Sequence, residues 1–397
     1  MSRETTPARS VERTILVLSV CGFASALSTR FVDPMIGVIA RDLSADPLSV
    51  ALLSSAYALP YAFIQPILGP VGDALGKERV VKVVMVSLAI MLGAAAVAPG
   101  LSSLFLFRIL SGAAAGGIIP IALATIGDKV AMADRQVAIG RFLTATISGQ
   151  LLGGVGSGVL AEYIGWRGVF GSAAILAGVS AGAVLLSFRG SEPPNGELSF
   201  SAASRRYRHI LSIGKARALM AFVFAEGILI FGVQPYLAPL LERAQLGGAR
   251  EAGLIIGAFG LGGLVYTFMV GWLLRTLGLG LMLKVAGVLG LGAYLALAPA
   301  LPWGADAAAM LLLGLGFYML HNSFQTQMTE VAPEARASAV AMHAFAFFVG
   351  QAIGPVAYGA MLAGLGRAGA MTACGLGVLA MGLAASAVFG ERGGRRR

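Results

Sequence analysis

Charge is what this sequence has least of. Of its 397 residues, 12% are Asp, Glu, Lys or Arg, about half the share of an ordinary soluble domain. So few charges cannot cover the surface of a soluble protein this large, whereas a hydrocarbon solvent removes that demand. Histidine is scarce, with 3 residues, and there are 2 cysteines. Cys21 and Cys374 sit alone in apolar runs, with no Cys or His at metal spacing, so they read as small packing residues and no metal centre is expected. Also missing are an HExxH pair, a hydrolase elbow and a Walker A loop: "LGKE" from Leu75 has Glu78 where Ser or Thr is needed. With little mass outside the apolar runs, these absences argue against a membrane enzyme, against ATP as the energy source and against a bound cofactor. No carbonyl filter or ring of charges marks an ion channel.

Apolar runs are abundant. Twelve have the ~20-residue length that crosses a bilayer: 14–36, 48–70, 80–98, 101–126, 139–161, 169–188, 218–240, 252–274, 281–300, 305–323, 339–362 and 368–389. They are apolar around most of their circumference, unlike surface helices, and a chain in lipid must satisfy its own backbone. The expected fold class is therefore an all-α membrane protein of twelve transmembrane helices. The first run is too long for a signal peptide and lacks a cleavage site, so it reads as a retained span. The 55 glycines suit close helix contacts in lipid.

Lys and Arg placement sets the orientation. With the first segment in the cytoplasm, inner segments hold 22 of these residues and outer loops hold 5. That bias places both termini in the cytoplasm of a plasma (inner) membrane. It also accounts for the +10 net charge without nucleic acid. The longest polar stretch, "RGSEPPNGELSFSAASRRYRHILSIGKAR", carries six Lys/Arg. It reads as a cytoplasmic linker (189–217) with a short amphipathic portion, between bundles 1–188 and 218–397.

The two bundles echo one another. "DPMIG" at Asp33 parallels "QPYLA" at Gln234, and Gly149, Gly153 and Gly158 parallel Gly350, Gly354 and Gly359, both at a shift of 201. "GPVGDALG" at Gly69 parallels "GWLLRTLG" at Gly271 at 202. Ordered matches at nearly one shift suggest a duplicated six-helix unit. Six crossings are even, so the copies insert alike, as two pseudo-symmetric bundles about an axis normal to the membrane.

"GPVGDALGKERVVK", residues 69–82, is a tight charged turn between the second and third helices. Its Gly69, Asp73, Gly76, Lys77 and Arg79 resemble the helix 2–3 signature of the major facilitator superfamily. It departs from the pattern at Ala74, where arginine is frequent, and at Lys77. The resemblance implies a conformational gate in which Asp73 contacts helix ends of the other half. "RILSGAAAGG" (Arg108, Gly112, Gly116, Gly117) is similar to the family's helix 4 motif, which is linked with proton coupling. "GQLLGGVGSG" resembles its antiporter motif in helix 5, keeping Gly149, Gly153 and Gly158 as gating glycines but carrying Gly154 in place of proline. "GWRGVF" from Gly165 resembles the usual helix 5–6 connection.

Ionisable residues within spans are costly and mark cavities or partners. Singled out among them are Arg30 and Asp33 in helix 1, Arg108 in helix 4, Glu226 in helix 7, His321 in helix 10 and His343 in helix 11. Arg30 and Asp33 are spaced for an ion pair. Glu226 is the expected proton carrier, joined by Arg108, Asp33 and His321, and a Glu226–His321 pair follows if helix tilt aligns their depths. His343 reads as a core histidine. Arg30, Gln65, Phe231, Gln234 and Tyr236 are expected to line a substrate cavity, with kinks at Pro66 and Pro235.

These readings converge on a secondary transporter working by alternating access. The favoured form is a monomer coupling proton entry to efflux of a small, partly hydrophobic organic compound. The alternative is a proton symporter taking up an organic anion or metabolite, with Arg30 or Arg108 holding the carboxylate.

Overall fold

The computed structural model describes residues 8–188 and 200–390, without the immediate surroundings of Gly69 and Asp73. Among the described residues there are helices and no strands. Nine helical stretches there are long and apolar enough to cross a bilayer. Three of them, Met132–Ser187, Ala249–Leu297 and Arg336–Phe389, are 56, 49 and 54 residues long. At 1.5 Å per residue they would span about 75–85 Å, more than twice the ~30 Å hydrocarbon layer.

Each of the three is interrupted at one glycine. Gly165 has φ 65° and ψ 172°, Gly278 has φ 66° and ψ 169°, and Gly366 has φ 67° and ψ −179°. A Cβ disfavours that backbone, and the chain kinks there from one helix into the next. Divided at these points, the nine stretches become twelve spans, which match the twelve apolar runs. Helices 5 and 6 flank Gly165, helices 8 and 9 flank Gly278, and helices 11 and 12 flank Gly366. Helix 2 is Pro47–Leu75, helix 3 Lys77–Ala96 and helix 10 Trp303–Thr329. Helix 2 keeps Pro60, Pro66 and Pro70 within one continuous helix.

Helices 1, 4 and 7 are discontinuous, where the sequence read single runs. Helix 1 is Ala8–Arg30, a 3-10 turn at Asp33–Met35, then Ile36–Asp42; helix 7 is Gly214–Phe231, a turn at Gln234–Tyr236, then Leu237–Arg243. Pro34 and Pro235 supply the cause, since proline lacks the amide hydrogen and crowds the preceding turn. Helix 4 divides at Gly116–Gly117, into Leu101–Ala115 and Ile118–Lys129.

The duplication is written in the backbone. The two turns are offset by 201 positions, as are two left-handed residues that are not glycine, Ser44 (φ 49°) and Gln245 (φ 58°). Gly165 and Gly366 share that offset, while Gly76 (φ 87°) and Gly278 differ by 202. Close packing repeats too. A Cβ on Gly149 or Gly153 of helix 5 would strike the carbonyls of Phe23 and Leu27 on helix 1. One on Gly350 or Gly354 of helix 11 would strike those of Phe224 and Ile228 on helix 7.

The halves meet along two seams. Helix 5 packs on helix 8, where Gly158 lies against the Ala249 carbonyl and Val155 against Gly257. Helix 2 packs on helix 11 through aromatic pairs, Tyr61–Phe348 with ring centroids 4.4 Å apart and Phe63–Phe345 at 5.2 Å. At one end of the bundle, Arg41 of helix 1 binds Glu242 of helix 7 at 2.5 Å. The opposite end carries Lys77. There the linker helix, Phe200–Ser212, buries Ala203 and Ile210 and leaves Arg205, Arg206 and Arg208 exposed, as an amphipathic segment should. Its Tyr207 hydroxyl donates to the Pro66 carbonyl at 3.0 Å.

The bonds described for the helix 2–3 turn stay within its own half. Lys77 pairs with Asp128 at 2.5 Å, and Glu78 pairs with Lys129, both at the end of helix 4. Arg79 is exposed. The expected contact of Asp73 with the other half lies outside the described residues.

Candidate functional site

A cavity of about 190 Å³ lies between the halves. Helices 1, 5, 7, 8, 10 and 11 wall it. Six of its side chains are aromatic: Phe231, Phe259, Phe317, Tyr318, Phe347 and Phe348. The polar ones are Arg30, Gln150, Gln234, His321 and Gln351. This is an apolar pocket with a few convergent polar groups, the usual make-up of a small-molecule site.

Arg30 is the last residue of the first segment of helix 1, so the break in that helix presents its guanidinium to the cavity. It is 5% exposed. Nη1 donates to Asp33 Oδ2 at 3.3 Å, Nη2 donates to Gln351 Oε1 across the halves, and the guanidinium lies 4.3 Å from the Phe231 ring centre. Asp33 also accepts from the Ser54 hydroxyl. The expected Arg30–Asp33 pair therefore forms, but across the helix break and with a third partner in the opposite half.

Arg108 is fully buried behind this group and does not line the cavity. Nη1 donates to the Ser28 carbonyl at 3.2 Å and Nε to the Leu53 carbonyl at 3.5 Å. Its guanidinium stacks 4.1 Å from the Tyr57 ring centre, and the Tyr57 hydroxyl is 2.8 Å from that of Ser28. Arg108 thus clamps helices 1, 2 and 4 at the level of the helix 1 break.

In the other half, Glu226 has no exposed surface. Its Oε2 lies 2.7 Å from His321 Nδ1, and its Oε1 has no hydrogen-bond partner among the described residues. The pair anticipated from sequence is therefore in contact. His321 lines the cavity, so it separates the carboxyl group from that space. Such a hydrogen bond can hold one proton on either side. The His321 ring packs on Phe347 at 4.5 Å and Phe317 at 5.0 Å, and His343 lies 5.3 Å away.

Of the residues proposed from sequence for a substrate cavity, Arg30, Phe231 and Gln234 line this one, and Gln65 and Tyr236 lie elsewhere. Tyr236 is held elsewhere: its hydroxyl donates to the Pro355 carbonyl at 2.7 Å and its ring packs on Tyr358. Gln65 is buried on helix 2, and Phe348, against which Tyr61 packs, walls the cavity on that side. Of the gating glycines, Gly149 and Gly153 seat helix 1 within their own half, and Gly158 touches the other half.

Sequence reading missed several polar partners. Ser54, Tyr57 and Gln351 carry no charge at neutral pH and so did not stand out, although Gln351 sits within "GQAIGPVAYG". Asp306, at the start of helix 10, is 1% exposed and binds Arg367 at 3.2 Å. Arg367 follows Gly366, at the break between helices 11 and 12.

A bundle of discontinuous helices in two repeated halves around a cavity between them fits the architecture of a secondary transporter. The family model for the Major Facilitator Superfamily matches residues 18–355. The chain belongs to that superfamily and is a transporter, not an enzyme. It is 26% identical over 391 residues to YfhI of Bacillus subtilis, an uncharacterised transporter of this type, covering 92% of this chain and 93% of that one. It is 25% identical over 356 residues to the multi-drug resistance efflux pump PmrA of Streptococcus pneumoniae, covering 86% and 87%. A bacterial homologue of the human lysosomal transporter Spinster, solved inward-facing and unoccupied, superposes with a TM-score of 0.74 at 18% identity, covering 97% of both chains.

Proposed function

We propose that this transporter exports small, partly hydrophobic organic compounds in exchange for protons. The observation that carries this reading is the Glu226–His321 hydrogen bond, buried at the wall of an aromatic cavity. Protonation there changes the charge that the cavity feels, so proton and substrate occupancy become linked. The likeness to the efflux pump PmrA supports the direction. In this reading the Lys77 end and both termini face the cytoplasm of a bacterial inner membrane, because Lys and Arg concentrate there. The Arg41–Glu242 contact then closes the outer end, and the bundles 1–188 and 218–397 rock about the helix 5–8 and 2–11 seams.

Inverted membrane vesicles with an imposed pH gradient test this with a panel of fluorescent hydrophobic dyes. Acidic interiors should drive dye inward in the parent, and Glu226→Gln should abolish the pH-driven component. Coupled flux that survives Glu226→Gln removes Glu226 as the carrier.

Arg30 favours a second reading, proton-coupled uptake of an organic anion, because it is a cation on the cavity wall. Right-side-out vesicles separate the two by the direction in which a proton gradient moves substrate.

A further inference from the structure

His343 is a second buried titratable group that the coupling pair does not use. It sits on helix 11 with 1% of its surface exposed, and neither ring nitrogen has a hydrogen-bond partner among the described residues. Its ring centre is 5.3 Å from that of His321, nearly edge to face. The titratable side chain packed against it is His321, beyond which lies Glu226. Helix 2, packed on helix 11, brings Tyr61 against Phe348 and Phe63 against Phe345. An imidazole with two unanswered nitrogens destabilises such a place. Phenylalanine would fill it better, as Phe317 and Phe347 do beside His321.

The Lys215–Gln327 bond of 2.5 Å brings together the starting end of helix 7 and the finishing end of helix 10. Measured from the Lys77 end at 1.5 Å per residue, His343 lies about 10 Å in from Arg336, His321 about 12 Å in from Thr329 and Glu226 about 18 Å in from Gly214. Both histidines thus lie on the Lys77 side of the carboxyl group, at similar depth.

We propose that His343 is the proton port of this transporter, relaying protons between water at the Lys77 end and Glu226 by way of His321. The inference rests on Glu226 being the proton carrier. A proton taken up on one ring nitrogen of His343 leaves from the other, and ring rotation or one water molecule bridges the gap to His321 Nε2. His321 then releases its Nδ1 proton to Glu226 Oε2. One proton passes from the Lys77 end to the carboxylate, each histidine exchanges which ring nitrogen carries its proton, and release at the Lys77 end runs the same steps in reverse.

Time-resolved infrared spectroscopy of the reconstituted protein after a pH jump reads this step without a substrate. The Glu226 carboxyl band is identified by its loss in Glu226→Gln. His343→Gln and His343→Phe should each slow its appearance at least tenfold while leaving its final amplitude unchanged, and His343→Phe should also raise Tm. Unchanged rates in both variants overturn the relay, and so does a fall in Tm for His343→Phe, which marks a structural role. If the parent shows no Glu226 band that responds to pH, the carrier assignment itself fails, a result distinct from either of these.

Discussion

Arg41 and Glu242 are separated by 201 positions, the offset of the internal repeat, and they bind each other at 2.5 Å. They are the same position in two copies of one unit, meeting where the copies face. Gly37 makes room: a Cβ there would strike the Glu242 carboxylate. Beside them, Asp42 accepts from the Trp166 indole at 3.0 Å and from Arg167, which ties helix 6 to the same end.

Breaking the Arg41–Glu242 contact should favour opening at that end. The side chains are 62% and 24% exposed, so the pair contributes at most about 1 kcal/mol, or roughly a fivefold population shift. Arg41→Ala should raise the labelling rate of a cysteine placed at Gln150, measured with an impermeant thiol reagent from that side. Arg41→Glu should raise it further, and Arg41→Glu with Glu242→Arg should restore it. A double variant as open as the single one would show that the charges do not pair in the membrane.

Glycine substitutions should sort by what a methyl group would meet. Gly149→Ala drives a Cβ into the Phe23 carbonyl, whereas Gly156→Ala meets nothing within 4 Å. Overpacking costs about 1–3 kcal/mol, so Gly149→Ala should lower Tm in detergent. Gly156→Ala should leave it unchanged or slightly higher, since alanine favours the helix by about 0.5–1 kcal/mol. Gly158→Ala presses on helix 8 of the other half and should slow transport more than it lowers Tm.

Arg108→Lys should fail although it keeps the charge. The guanidinium reaches two carbonyls on different helices while stacking on Tyr57, and a point-like ammonium cannot reproduce a planar fork. Transport should fall at least tenfold, and Arg108→Ala should lower Tm as well. Full transport in Arg108→Lys would show that charge alone suffices.

Removing the Tyr207 hydroxyl tests whether the linker helix holds helix 2. Tyr207→Phe deletes the bond to Pro66, which contributes about 0.5–1.5 kcal/mol. Proteolysis at the exposed Arg205, Arg206 and Arg208 should then quicken severalfold. Equal cleavage rates would mean that burial of Ile210 alone holds the helix.

The twelve spans were legible because crossing lipid imposes length and apolarity on each one separately. The interruptions were less so. Pro34 and Gly165 lie in local sequence, but whether proline breaks a helix depends on what packs around it: Pro66 does not break helix 2, and Pro34 and Pro235 fall at breaks. Glu226 and His321 stood out because ionisable groups are rare in the membrane. Their contact needed the crossing of helices 7 and 10, which sequence hinted at but did not fix. Gln351 stayed hidden because a glutamine is cheap enough in a span to pass as packing, and its bond to Arg30 joins residues 321 positions apart.

A site lying on a twofold axis faces its own image. Two identical ancestral units would have set arginine against arginine, or glutamate against glutamate, where Arg41 now meets Glu242. The attraction requires opposite signs at the two equivalent positions, so neither half could make it with a twin of itself. Fusion into one polypeptide guarantees that each half always finds the unlike mate it requires.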